Sequence, residues 1–597
     1  MILRRPLIFL ACLAGPLGAR EISWTRLDAT NFTILSAVSE RETQNWAVEF
    51  EQFHRGLAKI LTINEAALRP VTVVFFRDQD EMRPYKILEK GRPADVDGMF
   101  FRSPLGNFIE VAADSEDDQT RHLIFHEGVH WLTNVHDIPL PLWLDEGLAE
   151  VFSTFSIEGD LYNYGKALPW HVLLLRRGPM MPLKQLLAVP RGSLLYNEGE
   201  RTSIFYAESW AFVHYLLFSG RLEERTRFNQ LIRALRPGSD PDTVFKQVFG
   251  ADCAAMDRRL KEYLLNGTYT INRIRFDRPA VEKSFRVRRA SPAEVDLAES
   301  SLLSAGNRPA EALPRLQRIA SEMPDNPVAW EAEGFAAYQT EDYDETDACF
   351  RRAADEGSRN YFVYSFLGDS ALGIRPGRIA PSAGGDSRLA IDYYERELGL
   401  YPREQHAYDN IAGNSYVLDS ITDTDAQTLR EGARIFPDDT MIRLGLAVVD
   451  LRQGRVDAAT EALKRIASDP APPDKDACAY AKQILDDRLR SEAFDRMNRL
   501  GESQDFEGVV ASADELLKGP LNPTDRQNLV RTRDRAAVAA KVKRAVDLAN
   551  SGRLLDARHL LEEASASATD PQMASQIQAL LDRMTRATSG GSLRQGK

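Results

Sequence analysis

The chain is 597 residues long, which is too long for a single hydrophobic core and predicts several domains. With 43% hydrophobic and 27% charged residues, its composition is that of an ordinary soluble globular protein. The formal net charge of -13 argues against a nucleic-acid-binding protein, because there is no basic excess to meet phosphates.

The first residues are typical of an export signal. Arg4 and Arg5 form a short cationic start, and an apolar run from Pro6 to Gly18 ends in small residues suited to cleavage. We therefore predict a signal peptide at residues 1–19 and an exported protein, periplasmic or extracellular. An uncleaved N-terminal anchor and lipidation of Cys12 are the alternatives. No other segment has transmembrane character, so the mature chain is expected to have no membrane span.

The cysteines give no sign of a disulfide framework. There are four, at positions 12, 253, 349 and 478, and no C-x-x-C pair. Each cysteine left after cleavage is interpreted as a buried structural thiol. Any metal site in this chain must then be built from His and Glu.

Residues 20–115 have the pattern of a mixed α/β region. A helical apolar period runs from Arg41 to Leu61. Strand-like runs accompany it at 31–38 and 70–76, and a hairpin is predicted at 98–102 and 108–113. The sequence therefore predicts a sheet that leads into the next helix.

The functional prediction depends on His126-Glu127-Gly-Val-His130, an H-E-x-x-H motif. On a helix, the four-residue step puts His126 and His130 on one face, where two imidazoles can bind one zinc ion. Glu127 lies beside that face, where a general base is needed. The alternative is an amphipathic helix whose histidines are satisfied in the core. Residues 20–115 are then interpreted as the N-terminal α/β part of a catalytic domain, and residues 116–268 as its helical zinc-site part.

Both halves of the predicted site carry helix-start signals. Ser115 with Asp118 resembles a capping box, and Pro141 is suited to the first turn of a second helix. On that second helix, Glu146 and Glu150 share a face. Glu146 is thus available as a third metal ligand.

The H-E-x-x-H motif followed by Trp143-Leu-Asp-Glu146-Gly-Leu-Ala-Glu150 resembles the gluzincin peptidases, especially the peptidase MA-like group of exported bacterial proteins. The resemblance implies an α+β thermolysin-like catalytic domain with Zn2+ held by His126, His130 and Glu146. It also implies that Glu150 is a carboxylate that orients a histidine ligand. The pattern is similar to the aminopeptidase-N-type signature too. The gap before Glu146 is shorter here, however, and no Gly-x-Met-Glu-Asn stretch occurs, so exopeptidase specificity is not implied.

Gluzincins commonly use a downstream Tyr or His to stabilise the oxyanion. Tyr206 is the candidate here and Tyr215 the reserve, although helical core spacing around Trp210 also explains both. His122 shares the histidine face one turn upstream, but the helical rise carries it away from a metal held by the other two. We therefore expect His122 beside the ligands or at the surface.

The predicted chemistry follows from these parts. Zinc bound by two imidazoles and one carboxylate keeps an open position for water and lowers its pKa toward neutrality. Glu127 takes the proton as water attacks a carbonyl, then delivers it to the leaving amine. The hairpin ending at 108–113 is a candidate for holding an extended peptide by strand addition.

Beyond residue 268 the character of the chain changes. Residues 269–292 are basic and strand-like, and we interpret them as a linker, with docking of their arginines against an acidic domain as the alternative. Residues 293–586 are helical and repetitive. The final residues, 587–597, are expected to be disordered.

The helical region resembles a tetratricopeptide array. Tyr364 and Gly368 recur one repeat length of 34 residues after Trp330 and Gly334. An insertion rich in Pro, Gly and Ser interrupts the pattern at 375–385. The resemblance implies an all-α tetratricopeptide-like solenoid with a concave binding surface.

The sequence therefore predicts an exported zinc-dependent metallopeptidase with a peptide or protein substrate. A protein partner is expected on the helical repeat surface, and no nucleic acid. The alternative is a tetratricopeptide scaffold whose metal-binding domain is inactive or regulated. Hydrolysis of a non-peptide amide is a third possibility.

Overall fold

The computed structural model describes residues 23–591, with gaps at 66–67, 115–116, 134–139, 191–203, 221, 236–238, 276–284, 377–384, 416–417, 419–420, 469–473 and 520. The predicted signal peptide, the Ser115 cap and most of the 375–385 insertion lie outside the described residues. The chain divides into two compact units, Met1–Ala407 and Tyr408–Lys597. No helix among the described residues is both long and apolar enough to cross a membrane.

The strands all belong to the first unit. They are β1 (Thr25–Asp28), β2 (Phe32–Ser36), β3 (Val71–Phe76), β4 (Leu88–Glu89), β5 (Arg92–Pro93), β6 (Gly98–Ser103), β7 (Gly106–Ala112), β8 (Ser156–Glu158), β9 (Leu161–Tyr164), β10 (Asn272–Arg275) and β11 (Arg286–Arg289). Six of them form a mixed sheet in the order β11-β1-β2-β3-β7-β6, in which β3 is parallel to both of its neighbours. The predicted strands and hairpin are present in this sheet.

The helices make the chain mostly α-helical. Those before the helical repeats are α1 (Glu40–Leu61), α2 (Gln79–Met82), α3 (Asp117–Thr133), α4 (Leu142–Phe152), α5 (Pro169–Arg177), α6 (Leu183–Leu187), α7 (Ile204–Phe218), α8 (Leu222–Ala234), α9 (Pro241–Phe249) and α10 (Cys253–Asn266). The helices that follow in the first unit are α11 (Pro292–Ala305), α12 (Pro309–Glu322), α13 (Pro327–Gln339), α14 (Tyr343–Asp355), α15 (Tyr361–Ala371) and α16 (Ser387–Leu400).

The six-stranded sheet is covered on both faces. In β3, Val73 and Phe75 belong to a core that includes Phe53 of α1 and Val129 of α3. Val74 and Phe76 point the other way, into a core shared with α11, α12 and α13. Alternate residues thus enter different cores, which is why the last four residues of the strand, 73–76, are all apolar. The first helical repeats are part of the same compact unit as the sheet.

The structure differs from the predicted linker at 269–292. β10 pairs with β9, and β11 extends the large sheet by pairing antiparallel with β1. In β11 only Val287 is partly buried, while the arginines around it are exposed. Arginines alternating with single apolar residues are the pattern of an edge strand with one covered face. The segment therefore contributes β11 to the six-stranded sheet and β10 to a three-stranded sheet in the order β10-β9-β8.

The paired helices confirm the helical-repeat prediction. Gly334 of α13 faces α14, where an added Cβ would lie 2.6 Å from the Phe350 ring. Gly368 of α15 faces α16 in the same way, with a Cβ 2.5 Å from the Tyr394 ring. The glycines recur in the sequence because each lets the two helices of a pair approach closely.

The second unit continues with helices. α17 (Gln405–Asn414) spans the boundary and is followed by α18 (Asp423–Ile435), α19 (Thr440–Arg452), α20 (Val456–Ala467), α21 (Lys475–Glu502), α22 (Phe506–Leu517), α23 (Pro523–Asn550), α24 (Leu554–Ser567) and α25 (Pro571–Gly591). Gly454 and Gly552 make the predicted turns between paired helices, with φ of 78° and 84°. α21 and α23 each have 28 residues and depart from the regular repeat. α25 reaches Gly591, so the predicted disordered tail is helical at its start.

Candidate metal centre

Two helices bring the predicted site residues together. α3 carries His126, Glu127 and His130, and α4 carries Glu146 and Glu150. Pro141 precedes α4 as its N-cap residue, one position earlier than predicted. The residues between the helices, 134–139, are outside the described part of the chain.

Gly147, next to the third predicted ligand, sets how closely α4 packs on α7. A Cβ at this position would lie 2.5 Å from Val213 Cγ2 and 2.6 Å from the carbonyl oxygen of Ser209. The second atom is backbone and cannot rotate away. In the Glu-Gly pair of the motif, Glu146 is therefore a candidate ligand, and Gly147 lies at a contact between α4 and α7 that has no room for a side chain.

We expect Gly147→Ala to lower the stability of the first unit by about 1–3 kcal/mol, the usual cost of overpacking a core. Thermal denaturation of the full chain measures the change. Gly399→Ala in α16 is the matched control, since nothing lies within 4 Å of its added Cβ and alanine favours helix. Equal melting temperatures for the Gly147 variant and the wild type would contradict the packing argument.

The three predicted ligands form a compact triangle of donor atoms. His126 Nε2 lies 3.2 Å from His130 Nε2 and 3.3 Å from Glu146 Oε2. The third edge, from His130 Nε2 to Glu146 Oε2, is 3.5 Å. Ligands about 2.0–2.1 Å from a tetrahedral zinc ion are about 3.3–3.4 Å from one another. The donor types and the spacing both fit Zn2+.

Charge within the triangle also favours a cation. Burial alone lowers the pKa of His130, but the Asp145 and Glu146 carboxylates outweigh it and hold that pKa well above its ordinary value. Burial alone raises the pKa of Glu146, and the adjacent His130 and His126 reverse this, so that pKa lies well below its ordinary value. The carboxylates of Asp145 and Glu146 therefore favour positive charge at the centre of the triangle, where the two histidine Nε2 atoms meet.

Glu150 lies behind the triangle, fully buried. Its Oε1 is 3.4 Å from His126 Nδ1, the ring nitrogen that faces away from the other donors. Its Oε2 is 3.1 Å from His171 Nε2 and 3.6 Å from His122 Nε2. Burial raises the pKa of Glu150, and these histidines, His171 above all, lower it to about 2. His122 thus lies beside Glu150 and outside the triangle.

Three residues near the site were not singled out from the sequence. Asp145 Oδ1 is 3.2 Å from His130 Nδ1. This contact is equivalent to the one that Glu150 makes with Nδ1 of His126. His171 of α5 is fully buried against Glu150. Glu110 of β7 is buried, which raises its pKa to about 8, with Lys86 opposing and Glu127 adding to the shift. Only Asp145 had a sequence signal, its position next to Glu146.

The two candidate tyrosines lie in different surroundings. The Tyr206 ring centroid is 6.5 Å from that of His126, so this residue borders the triangle. Tyr215 is 2% exposed and packs on the Tyr263 ring in the core, at 5.5 Å between centroids. The geometry favours Tyr206 over Tyr215. Glu127, the predicted base, is 6% exposed.

Comparison with known proteins gives helical-repeat structures. No protein-family model and no curated protein match the chain. The human IFIT1 dimer with m7Gppp-AAAA is 14% identical over 49% of this chain and 68% of that one, with a TM-score of 0.20. The P58(IPK) TPR domain is 12% identical over 50% and 99%, with a TM-score of 0.19. Yeast Tom70 is 11% identical over 64% and 81%, with a TM-score of 0.16. Identities this low bear on fold alone, and TM-scores this low support no closer comparison.

Proposed function

We propose that this chain combines a helical-repeat interaction surface with the active site of a zinc-dependent peptidase. The observation that carries the enzymatic part is the donor triangle of His126, His130 and Glu146, whose edges match those of tetrahedral zinc. The paired helices support the interaction part, because stacked pairs form extended binding surfaces.

Each residue around the triangle has a task in this proposal. Zinc, when bound, supplies positive charge that polarises a water molecule and the substrate carbonyl. Glu127 takes a proton from the water and passes it to the leaving amine. Tyr206 donates a hydrogen bond to the carbonyl oxygen as negative charge develops there. Glu150 and Asp145 hold the histidine rings in orientation.

A strand edge offers a place for an extended peptide. β7 is paired on both sides, with β3 and β6, so it has no open edge for the strand addition considered from the sequence. β6 is the outermost strand on that side of the sheet. We assign the proposed peptide contact to β6, because strand addition takes place at the outermost strand of a sheet.

The proposal extends to the family and the compartment. The H-E-x-x-H and W-L-D-E-G motifs support a gluzincin of the peptidase MA-like group with a thermolysin-like catalytic domain. The cationic and apolar start of the sequence supports cleavage after Ala19 and export to the periplasm or beyond. N-terminal sequencing of the protein recovered from its native source tests the cleavage.

The second candidate is a repeat scaffold whose metal-binding domain is inactive or regulated. It has the more direct support. The helical pairs that a scaffold needs are part of the observed fold, whereas catalysis is inferred from the positions of the residues in the donor triangle. A buried Glu127 beside an intact ligand set favours the enzyme, because a scaffold has no use for a general base.

Metal analysis paired with proteolysis separates the two candidates. We expect the purified full chain to bind one zinc ion at the triangle and to cleave denatured casein, and a chelator to stop the cleavage. Zinc binding without cleavage of casein supports the scaffold. Folded protein that takes up no zinc when zinc is supplied overturns the metal site.

A further inference from the structure

A second group of metal-ligating side chains lies between α13 and α14, in the helical repeats. Gly334 brings the two helices close, since an added Cβ would lie 3.0 Å from Cys349 Cβ. The preceding residue, Glu333, is therefore held in the interface and is only 4% exposed. Cys349 is 2% exposed.

Glu345 completes this group, which we call the α13–α14 cluster. It precedes Cys349 by one helical turn, and its Oε1 lies 3.9 Å from Cys349 Sγ. One donor atom from each of Glu333, Glu345 and Cys349 falls within 4.8 Å of the others. Oε2 of Glu333 is buried and accepts no hydrogen bond from an amide or hydroxyl group among the described residues, and the polar groups beside the Glu333 carboxyl are the Glu345 carboxyl and the Cys349 thiol. A buried oxygen of this kind costs free energy unless a ligand meets it.

The α13–α14 cluster holds acidic groups without a basic partner. No ion pair joins Glu333 or Glu345 to a lysine or arginine in the part of the chain that the structure describes. Burial raises the pKa of Glu333 to about 7, and the neighbouring Glu345 contributes. Burial and the two carboxylates also raise the pKa of the Cys349 thiol. A divalent cation would remove this repulsion.

We propose that Glu333, Glu345 and Cys349 bind one divalent cation that accepts both thiolate and carboxylate ligands, as Zn2+ does. A thiolate at about 2.3 Å and a carboxylate at about 2.1 Å from a tetrahedral zinc ion lie about 3.6 Å apart. The observed 3.9 Å is within a few tenths of an ångström of this. Glu345 is partly exposed, so a water molecule has access to the fourth position.

The site would join the two helices of one repeat. Ala332 and Phe335 of α13 belong to the core that covers one face of the six-stranded sheet. A cation bound between α13 and α14 therefore stabilises the helical repeat that packs against this sheet. Binding would release the thiol proton, and affinity would fall as the pH is lowered. The role is structural, and it is independent of hydrolysis at the histidine triangle.

Cobalt titration of the full chain tests the proposal, because Co2+ bound by a thiolate gives a near-ultraviolet charge-transfer band that imidazole and carboxylate ligands do not give. We expect this band in the wild type and in a His126→Ala/His130→Ala variant, and its loss in Cys349→Ser. Cys478→Ser is the matched control and should keep the band. Glu345→Gln should weaken cobalt binding at least tenfold without removing a cysteine.

The outcomes distinguish this site from the proposed peptidase site. A wild type that binds Co2+ without the band, or a band that persists in Cys349→Ser, overturns the α13–α14 cluster and leaves the triangle unaffected. A band that survives in the double histidine variant supports the cluster even if the chain cleaves nothing. If the wild type binds no Co2+ at all, neither the α13–α14 cluster nor the histidine triangle is a metal site.

Discussion

Replacing Glu127 with Gln is expected to remove peptide hydrolysis and leave the zinc content unchanged. The amide keeps the shape of the carboxyl group but cannot take a proton from water, so the base is lost. General base catalysis contributes about 10²–10⁴-fold, and a drop of that size in casein cleavage is the expected result. Initial rates, with zinc measured on the same samples, give both quantities.

Glu158→Gln is the matched control, since Glu158 is an exposed carboxylate on β8 and the same charge is lost. It should retain the wild-type rate. A Glu127 variant with full activity rules out the proposed base. A Glu127 variant that loses its zinc shows that this residue holds the site together, which is a different role from the one proposed.

Glu146→Ala and Glu150→Ala are expected to differ in how much zinc affinity they lose. Glu146 Oε2 is within 3.5 Å of both histidine Nε2 atoms, so its removal takes away a metal ligand. Glu150 meets His126 only through Nδ1, and loss of such an orienting contact typically costs 10–100-fold in affinity. In a Cys349→Ser background, which leaves the triangle as the one proposed zinc site, we expect Glu146→Ala to bind zinc too weakly to survive purification and Glu150→Ala to retain it in part.

Zinc affinity measured by competition with a chelator of known strength resolves the two cases. Circular dichroism controls for folding, since both carboxylates are buried. Glu150→Gln adds a variant that fills the same space and keeps a hydrogen-bond acceptor. Equal losses for Glu146→Ala and Glu150→Ala would contradict the assignment of one as ligand and the other as support.

The two histidine donors could be predicted from helical periodicity, and Glu146 from the resemblance of the Asp145-Glu146-Gly147 stretch to a known motif, while the approach of Glu146 to the histidines depends on how α4 packs on α3. A four-residue step fixes His126 relative to His130, and the same step fixes Glu146 relative to Glu150. Asp145 and His171 were not foreseen as partners, since their contacts depend on how α4 and α5 pack against α3. Packing angles between helices are set by side chains along their whole length, and no local pattern encodes them.

The helical repeats were predictable for a similar reason, and the segment before them was not. Gly334 and Gly368 lie where the two helices of successive pairs come closest, so the spacing between these glycines equals the length of the repeat. The strand-like character of this segment was visible in the sequence, but the partner of β11, β1, is distant in the chain, and no local pattern pairs the two strands. The packing of α11–α13 on the sheet also joins residues that are far apart in the chain. Because no local pattern reveals such contacts, the sequence predicts a separate linker between the sheet domain and the repeats.

The pairing of β1 with β11 has a consequence for how the protein is made. Thr25 meets Arg289, which follows it by 264 positions in the chain. At synthesis rates of about 5–20 residues per second, β1 waits on the order of ten to fifty seconds for this neighbour. Its outer edge is open for that time, and an unpaired edge is a template for aggregation. Premature stops or slow translation before residue 289 should therefore yield aggregates rather than a smaller folded protein.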